Sequence, residues 1–176
     1  MKKLIFKKTK IKGLYLIKPK IFKDDRGEFF RYFCSDEYKN IFFKNRILQT
    51  NICINKKKGI LRGLHYQKKP YEETKIVTCI SGEVYDVAVD LRKNSKTFMN
   101  YFGTKLSEKN KDILLIPKGF AHGYITLKKN STVLYLVDSK YNPKLENGIK
   151  YDDKRLKIKW PLKPKYISQK DKELDS

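Results

Sequence analysis

The chain has 176 residues and carries 41 Lys+Arg against 19 Asp+Glu, a formal net charge of +22. This length suits one domain with a real core, and 40% hydrophobic content with 12 Tyr and 10 Phe excludes a disordered polybasic chain. The longest apolar runs, such as ILLIP at 113–117, are far short of the ~20 residues that cross a bilayer, and the lysine-broken start MKKLIFKKTK lacks the pattern of a signal peptide.

Strand signals dominate from 11 to 138. The spacing predicts short strands over 11–18 and 28–33, then a helix over about 35–45, where Ser35 can cap and Tyr38, Ile41 and Phe42 share one side. Further strands are expected at 47–54, 75–80, 85–91, 98–106, 112–116, 122–127 and 132–138, separated by the turn signals KKKG (56–59), SGE (81–83) and PKG (117–119). The clearest alternation is YDVAVDL: Tyr85, Val87, Val89 and Leu91 fall on one face, Asp86, Ala88 and Asp90 on the other. Many short strands with regular turns argue a mainly β sandwich or barrel. The more polar tail from about 140 is expected to wrap it, anchored by Trp160, with a second short helix beginning at Ser168. No repeat, linker or shift in composition divides 1–176, so a single domain is expected.

Of the basic residues only six are Arg (26, 31, 46, 62, 92 and 155), and the lysines are spread along the whole chain. Groove readers use arginine forks and clustered basic stripes, so a solvated lysine surface is the better reading than nucleic-acid binding. Arg26 and Arg62 stand beside glycine in DDRGEFF and LRGLHYQ, which suggests anion forks placed by tight turns. Cys34, Cys53 and Cys79 are odd in number, lack CxxC spacing and lie in apolar stretches, so reduced, buried thiols in a cytoplasm are expected.

The two histidines, His65 in RGLHYQ and His122 in PKGFAHGY, each sit beside glycine and next to a strand. Either is a satisfied structural imidazole or a working one. Pro117-x-Gly119-x-x-His122 matches the second motif of the cupins, a turn followed by an inward-pointing histidine. A metal cupin needs His-x-His in its first motif, and here Gln67 follows His65 by two. A three-His site cannot be built, which leaves a metal-free pocket or a two-His site completed by a carboxylate such as Glu73 or Glu83.

The segments DDRGEFF (24–30), QTNICINKKKGILRGLHYQ (49–67), TKIV (74–77), GEVYDVAVDLRKNSKTF (82–98), LSEKN (106–110), IPKGFAHGY (116–124), LYLVDSKYNP (134–143), YDD (151–153) and KWP (159–161) together resemble the dTDP-4-dehydrorhamnose 3,5-epimerase family, in its order and spacing over roughly 13–171. The resemblance implies a jelly-roll cupin β-barrel with a few short helices. It implies a homodimer acting without cofactor or metal on a nucleotide-diphosphate 4-keto-6-deoxy sugar, in cytoplasmic synthesis of surface-polysaccharide sugars. A 4-keto group acidifies the protons at C3 and C5, so such an enzyme needs a base on one face, a donor to the enolate and an acid on the other face.

By this resemblance His65 is the base, Asp171 orients it, Lys75 stabilises the enolate and Tyr135 is the opposing acid. Arg26 and Arg62 are implied to hold the diphosphate, with Gln49, Asn51, His122, Glu146 and Lys170 as further substrate contacts. The chain departs from the family pattern at Glu28, Arg31 and Lys140. Those positions lie near the nucleotide in the family, so dTDP-hexoses and GDP-heptoses both stay open. Inversion at C3 alone is the enzymatic alternative, and a non-catalytic nucleotide-sugar-binding cupin or a nucleic-acid module are the alternatives of other classes.

Overall fold

A computed structural model of the chain describes residues 3–39 and 46–174. In chain order its strands are β1 (Leu4–Lys8), β2 (Tyr15–Pro19), β3 (Ile21–Asp24), β4 (Gly27–Phe30), β5 (Gln49–Asn55), β6 (Leu61–Gln67), β7 (Lys75–Ser81), β8 (Glu83–Asp90), β9 (Tyr101–Ser107), β10 (Ile113–Ile116), β11 (Phe120–Thr126), β12 (Ser131–Val137) and β13 (Glu146–Gly148). Two one-turn helices accompany them, α1 (Ser35–Tyr38) and α2 (Gln169–Lys172). Six strands form one antiparallel sheet in the order β1-β2-β10-β7-β12-β5, and five form a second in the order β13-β6-β11-β8-β9. The hairpin β3–β4 stands apart as its own ribbon.

From β5 onward the chain crosses between the two large sheets at every connection but β8–β9, which gives the facing sheets of a jelly roll. The turn signals at 56–59, 81–83 and 117–119 are therefore corners between sheets. Gly82 and Gly119 take positive φ of 73° and 81° at two of them. Between the sheets lies an apolar core drawn from both: Val77, Cys79, Leu114, Ile116 and Val133 meet Val84, Ala88, Leu106, Phe120 and Tyr124. A second cluster covers the back of the six-stranded sheet, where Tyr38 of α1 packs on Leu4, Ile17, Ile76, Ile113 and Leu136. A third lies behind the five-stranded sheet, where Leu156, Ile158 and Trp160 of the tail cover Leu64, Val87, Val89 and Ala121. Each fully buried Leu or Ile of this kind contributes roughly 1.5–3 kcal/mol.

The alternation of 85–91 is resolved by this layering. The Tyr85, Val87 and Val89 face is covered by the tail, and the Asp86, Ala88 and Asp90 face is buried as well, so both faces of β8 are inside. Trp160 donates its indole N–H to the Tyr151 carbonyl at 2.9 Å and meets Tyr85 edge-on. Lys165 and Tyr166 donate to the Gly59 carbonyl and Tyr166 accepts from Leu61, fastening the tail to the start of β6.

Several elements differ from the sequence reading. β1 is an additional strand whose lysines suit its place at the edge of a sheet, while Leu4 is buried. The strand expected from 11 begins only at Tyr15, because 9–14 is a turn closed by Thr9 donating to the Leu14 carbonyl. β3 and β13 are strands for which the sequence pattern gives no signal, and β6 is a full strand where that pattern indicates only a segment beside one. Helix α1 spans Ser35–Tyr38 with Cys34, not Ser35, at its N-cap; Ser35 already has a helical place and the cap makes no side-chain hydrogen bond. Ile41 and Phe42 lie outside the described residues.

The packing of β6 on β11 is tight where glycine stands on both strands. At Gly63, with φ of 114°, an added Cβ would lie 2.7 Å from Gly123 Cα and from the His122 carbonyl oxygen. Gly63→Ala is expected to cost on the order of 3 kcal/mol in urea unfolding. An unchanged midpoint would mean that the two strands separate there at no cost.

Candidate active site

The inner face of the six-stranded sheet changes character along its strands. Val77, Cys79 and Val133 point into the apolar core, whereas residues of the same parity at the other end are Lys75, Tyr135, Gln49 and Asn51. Period-two alternation thus makes one face apolar at one end and polar at the other. Across from them, β6 and β11 place His65 and His122 directly opposite each other in register.

Arg62 joins His65 on the cleft side although they stand three positions apart, an odd spacing that a regular strand would send to opposite faces. The register explains this: His65 pairs with His122 and Arg62 with Tyr124, so three steps on β6 face two on β11. This β-bulge at Gly63–Leu64 re-aims the strand, with Leu64 buried in the cluster under the tail.

The result is a cleft in two connected lobes. One, of about 270 Å³, is lined by Cys53, Arg62, His65, Lys75, His122, Tyr124, Tyr135, Lys170 and Asp171. The other, of about 240 Å³, shares His65, Lys75 and Tyr135 and adds Gln49, Asn51, Gln67, Glu73, Tyr141 and Glu146. Ten of the eleven residues singled out in the sequence meet here. Arg26 does not: it lies on the tip of the β3–β4 ribbon, 89% exposed in its side chain, and its guanidinium pairs with Asp24.

Each histidine is held by a carboxylate. Asp171, 3% exposed, accepts from His65 Nε2 at 2.7 Å and from the Gly63 backbone N–H at 3.1 Å. With Nε2 carrying the bonded proton, Nδ1 presents its lone pair. Ser168 Oγ accepts from the Asp171 N–H and caps α2, which fixes the carboxylate. Burial pushes the Asp171 carboxyl up, but the bonds from His65, Gly63 and the Ser168 region outweigh it and hold it below its ordinary 3.8.

His122 is oriented by Asp86, whose two oxygens lie 3.0 and 2.9 Å from Nε2. The sequence alone does not single out Asp86 as a site residue. Its signal was an acid on the inner parity of a strand with no exposed face. The carboxylates that meet the imidazoles are therefore Asp171 and Asp86, and not Glu73 or Glu83. Glu73 instead pairs with Lys75 Nζ at 3.0 Å, with both side chains largely buried. Among the described residues no three His, Cys, Asp or Glu side chains converge as metal ligands.

Burial raises the Tyr135 phenol to about 12, helped by the nearby carboxylate of Glu73. It stays protonated at neutral pH and can donate. Glu146 takes bonds from Lys170 Nζ and Tyr141 Oη, both at 2.5 Å, which hold it below the usual carboxylate range in spite of burial. Of the positions that depart from the family pattern, Glu28 pairs with Lys23 and Lys111, and Arg31 with Glu37, all away from the cleft lining. Lys140 stands nearer, its carbonyl accepting from Gln67 Nε2 at 3.1 Å.

A family model described as dTDP-4-dehydrorhamnose 3,5-epimerase matches residues 8–176. The chain is similar to a dTDP-4-dehydrorhamnose 3,5-epimerase of Shigella flexneri, at 41% identity over 165 residues, covering 93% of this chain and 91% of the relative. Among solved structures, the dTDP-4-dehydrorhamnose 3,5-epimerase of Bacillus anthracis, crystallised with TDP and PPi bound, superposes with a TM-score of 0.93 at 37% identity, covering 97% of this chain and 98% of that one. The dTDP-6-deoxy-D-glucose-3,5-epimerase of Legionella pneumophila, in complex with dTDP-4-keto-L-rhamnose, gives 0.93 at 39% identity, with coverage of 98% and 92%.

The depressed carboxyl of Asp171 has a consequence for stability. A group whose pKa falls on folding stabilises the fold above its unfolded value, here the ordinary 3.8, and that contribution fades as pH drops through the folded value. Asp171→Asn should therefore lower unfolding free energy at pH 6, and the gap from wild type should narrow toward pH 3. A gap that is constant between those two pH values would show that the charge of Asp171 contributes nothing to tail docking.

Proposed function

The chain belongs to the dTDP-4-dehydrorhamnose 3,5-epimerase family, and from its cleft we infer that it is an isomerase that inverts C3 and C5 of a dTDP-linked 4-keto-6-deoxy sugar through enolate intermediates. The observation that carries the assignment of roles is the meeting of a carboxylate-held imidazole, a lysine and a neutral buried phenol around one cavity. His65 Nδ1 takes the proton from the carbon beside the ketone, and Asp171 stabilises the imidazolium that results. Lys75 meets the charge that builds on the enolate oxygen. Tyr135, on the opposite sheet, returns a proton from the other face. Base and acid thus stand on β6 and β12, one on each sheet, which is the placement that inversion of a carbon requires.

Arg62, Gln49, Asn51, His122, Glu146 and Lys170 hold the nucleotide sugar around these groups, and no step calls on a metal or cofactor. Residues 1–176 act as one epimerase domain. The three free thiols, of which only Cys79 is buried while Cys34 and Cys53 are half-buried, suit a cytoplasmic setting, and the product suits transfer into surface polysaccharide. The names of the similar proteins favour a thymidine nucleotide over a guanosine one.

The enzyme is read as a homodimer. Among the described residues β5 ends the six-stranded sheet with its outer edge unpaired, and Ile52 and Ile54 on it, with Ile80 on β7 two strands in, are 60%, 68% and 48% exposed. Arg26, which does not line the cleft of its own chain, reaches a diphosphate if the β3–β4 ribbon serves the neighbouring subunit.

Two measurements test this reading. In D₂O, His65→Ala should lose on the order of 10²–10⁴ in exchange at C3 and C5, whereas Tyr135→Phe should wash out substrate protons faster than it forms epimer. Near-normal exchange in the first variant, or wild-type inversion in the second, refutes the corresponding role. For the dimer, mixing inactive Arg26→Ala with inactive His65→Ala should restore activity, because one site of each mixed dimer then has both groups intact. Failure of mixing to restore any activity would place Arg26 in its own subunit's chemistry or outside it altogether.

A further inference from the structure

Five described arginines other than Arg46 form two groups. Arg26, Arg31, Arg92 and Arg155 each pair with a carboxylate, from Asp24, Glu37, Asp90 and Asp153 respectively. Arg62 alone among these is held by a neutral side chain, its Nε donating to Asn55 Oδ1 at 3.0 Å.

Asn55 is the last residue of β5 and is fully buried. Its amide has one possible orientation, because Nδ2 lies 3.1 Å from the Cys53 carbonyl and 3.0 Å from the Ser131 carbonyl, both of which only accept. That leaves Oδ1 turned to the guanidinium. Tyr124 Oη closes the remaining side, 3.3 Å from Nδ2 and 3.4 Å from Oδ1. The amide is thus tied to β5, β11 and β12 and holds an arginine of β6 that is otherwise exposed.

We propose that Asn55 is a positioning residue that presets Arg62 for the diphosphate of the substrate, an inference that rests on the reading of Arg62 as a diphosphate contact. A guanidinium offers two forks, one from Nε with a terminal nitrogen and one from the two terminal nitrogens. Asn55 occupies Nε, so the end-on fork is the one left to the phosphate oxygens. Because the anchor is neutral, the full positive charge stays available to the ligand, which a carboxylate anchor would have cancelled. Holding the long side chain in advance also removes part of its ordering cost on binding.

The test is a double-mutant cycle read by calorimetric binding of dTDP to wild type, Asn55→Ala, Arg62→Ala and the double variant, with turnover measured alongside. Arg62→Ala should weaken dTDP by about tenfold or more, Asn55→Ala by about fivefold, and Asn55→Ala on the Arg62→Ala background by less than about twofold. The Asn55→Ala loss should fall on KM, with kcat near wild type. Equal losses on both backgrounds would make Asn55 merely structural, and no loss on the wild-type background would make it irrelevant to Arg62; either overturns the proposal. If Arg62→Ala itself binds dTDP as wild type does, the diphosphate reading of Arg62 has failed and the proposal falls with it, while epimerase activity stays measurable in the same samples. Should Asn55→Ala not fold, Asn55→Ser runs the same cycle, and nitrogen-15 NMR reads the anchor directly. A distinct, slowly exchanging Arg62 Nε–H signal in wild type should be lost in the variant, and its persistence would overturn the proposal.

Discussion

One carboxylate ties the site to the fold. Asp171 accepts at once from the backbone of the β6 bulge and from the imidazole two residues beyond it, so the irregularity in the strand, the direction of the ring and the path of the tail are satisfied by a single buried group. Removing water from a carboxylate is costly unless its lone pairs are met, and here the partners are a ring N–H and a peptide N–H whose own strand bonding the bulge disrupts. The bulge is therefore not a defect that the site tolerates. It frees the N–H that docks the tail, and it brings Arg62 and His65 to the same side.

The same economy shows in the layering. Three apolar clusters, one between the sheets and one behind each, account for nearly every alternating position of the central strands, and the cleft opens where the inner parity turns polar. Polar groups at that end are matched in pairs: Lys75 with Glu73, Lys170 with Glu146, His122 with Asp86. Such pairing lets charged and titratable side chains be held half-buried and rigid, which is what stabilising a developing enolate requires. Arg62 departs from the pattern, with an amide in place of an acid.

What the sequence disclosed follows from range. β8 was legible because the two faces keep strict parity over the seven residues 85–91, and the jelly roll was legible from many short strands separated by glycine turns. β6 escaped because a bulge breaks the period that identifies a strand, and β1 because an edge strand carries the lysines that read as solvated surface. The dyad of His65 and Asp171 spans 106 residues and the pair of His122 and Asp86 spans 36. No periodicity reaches so far: the first was accessible only through resemblance to a family, and the second was not seen. Arg26 illustrates the opposite limit, since a motif shared with a family says which residue matters without saying whose cleft it faces.

The docking of α2 separates two kinds of heat damage. The helix has one turn, held by the Ser168 cap, the Asp171 bonds, the Lys170 pair with Glu146 and the contact of Leu174 on Gly148. A segment with so few ties opens at a lower free energy than the sheets it rests on. In that open form both sheets survive and His65 keeps its place, yet Nε2 has lost its acceptor and the ring no longer holds one tautomer. Activity is therefore expected to fade on warming before the protein melts and to return on cooling without refolding, so that a thermal inactivation curve would report the detachment of four residues and not the stability of the jelly roll.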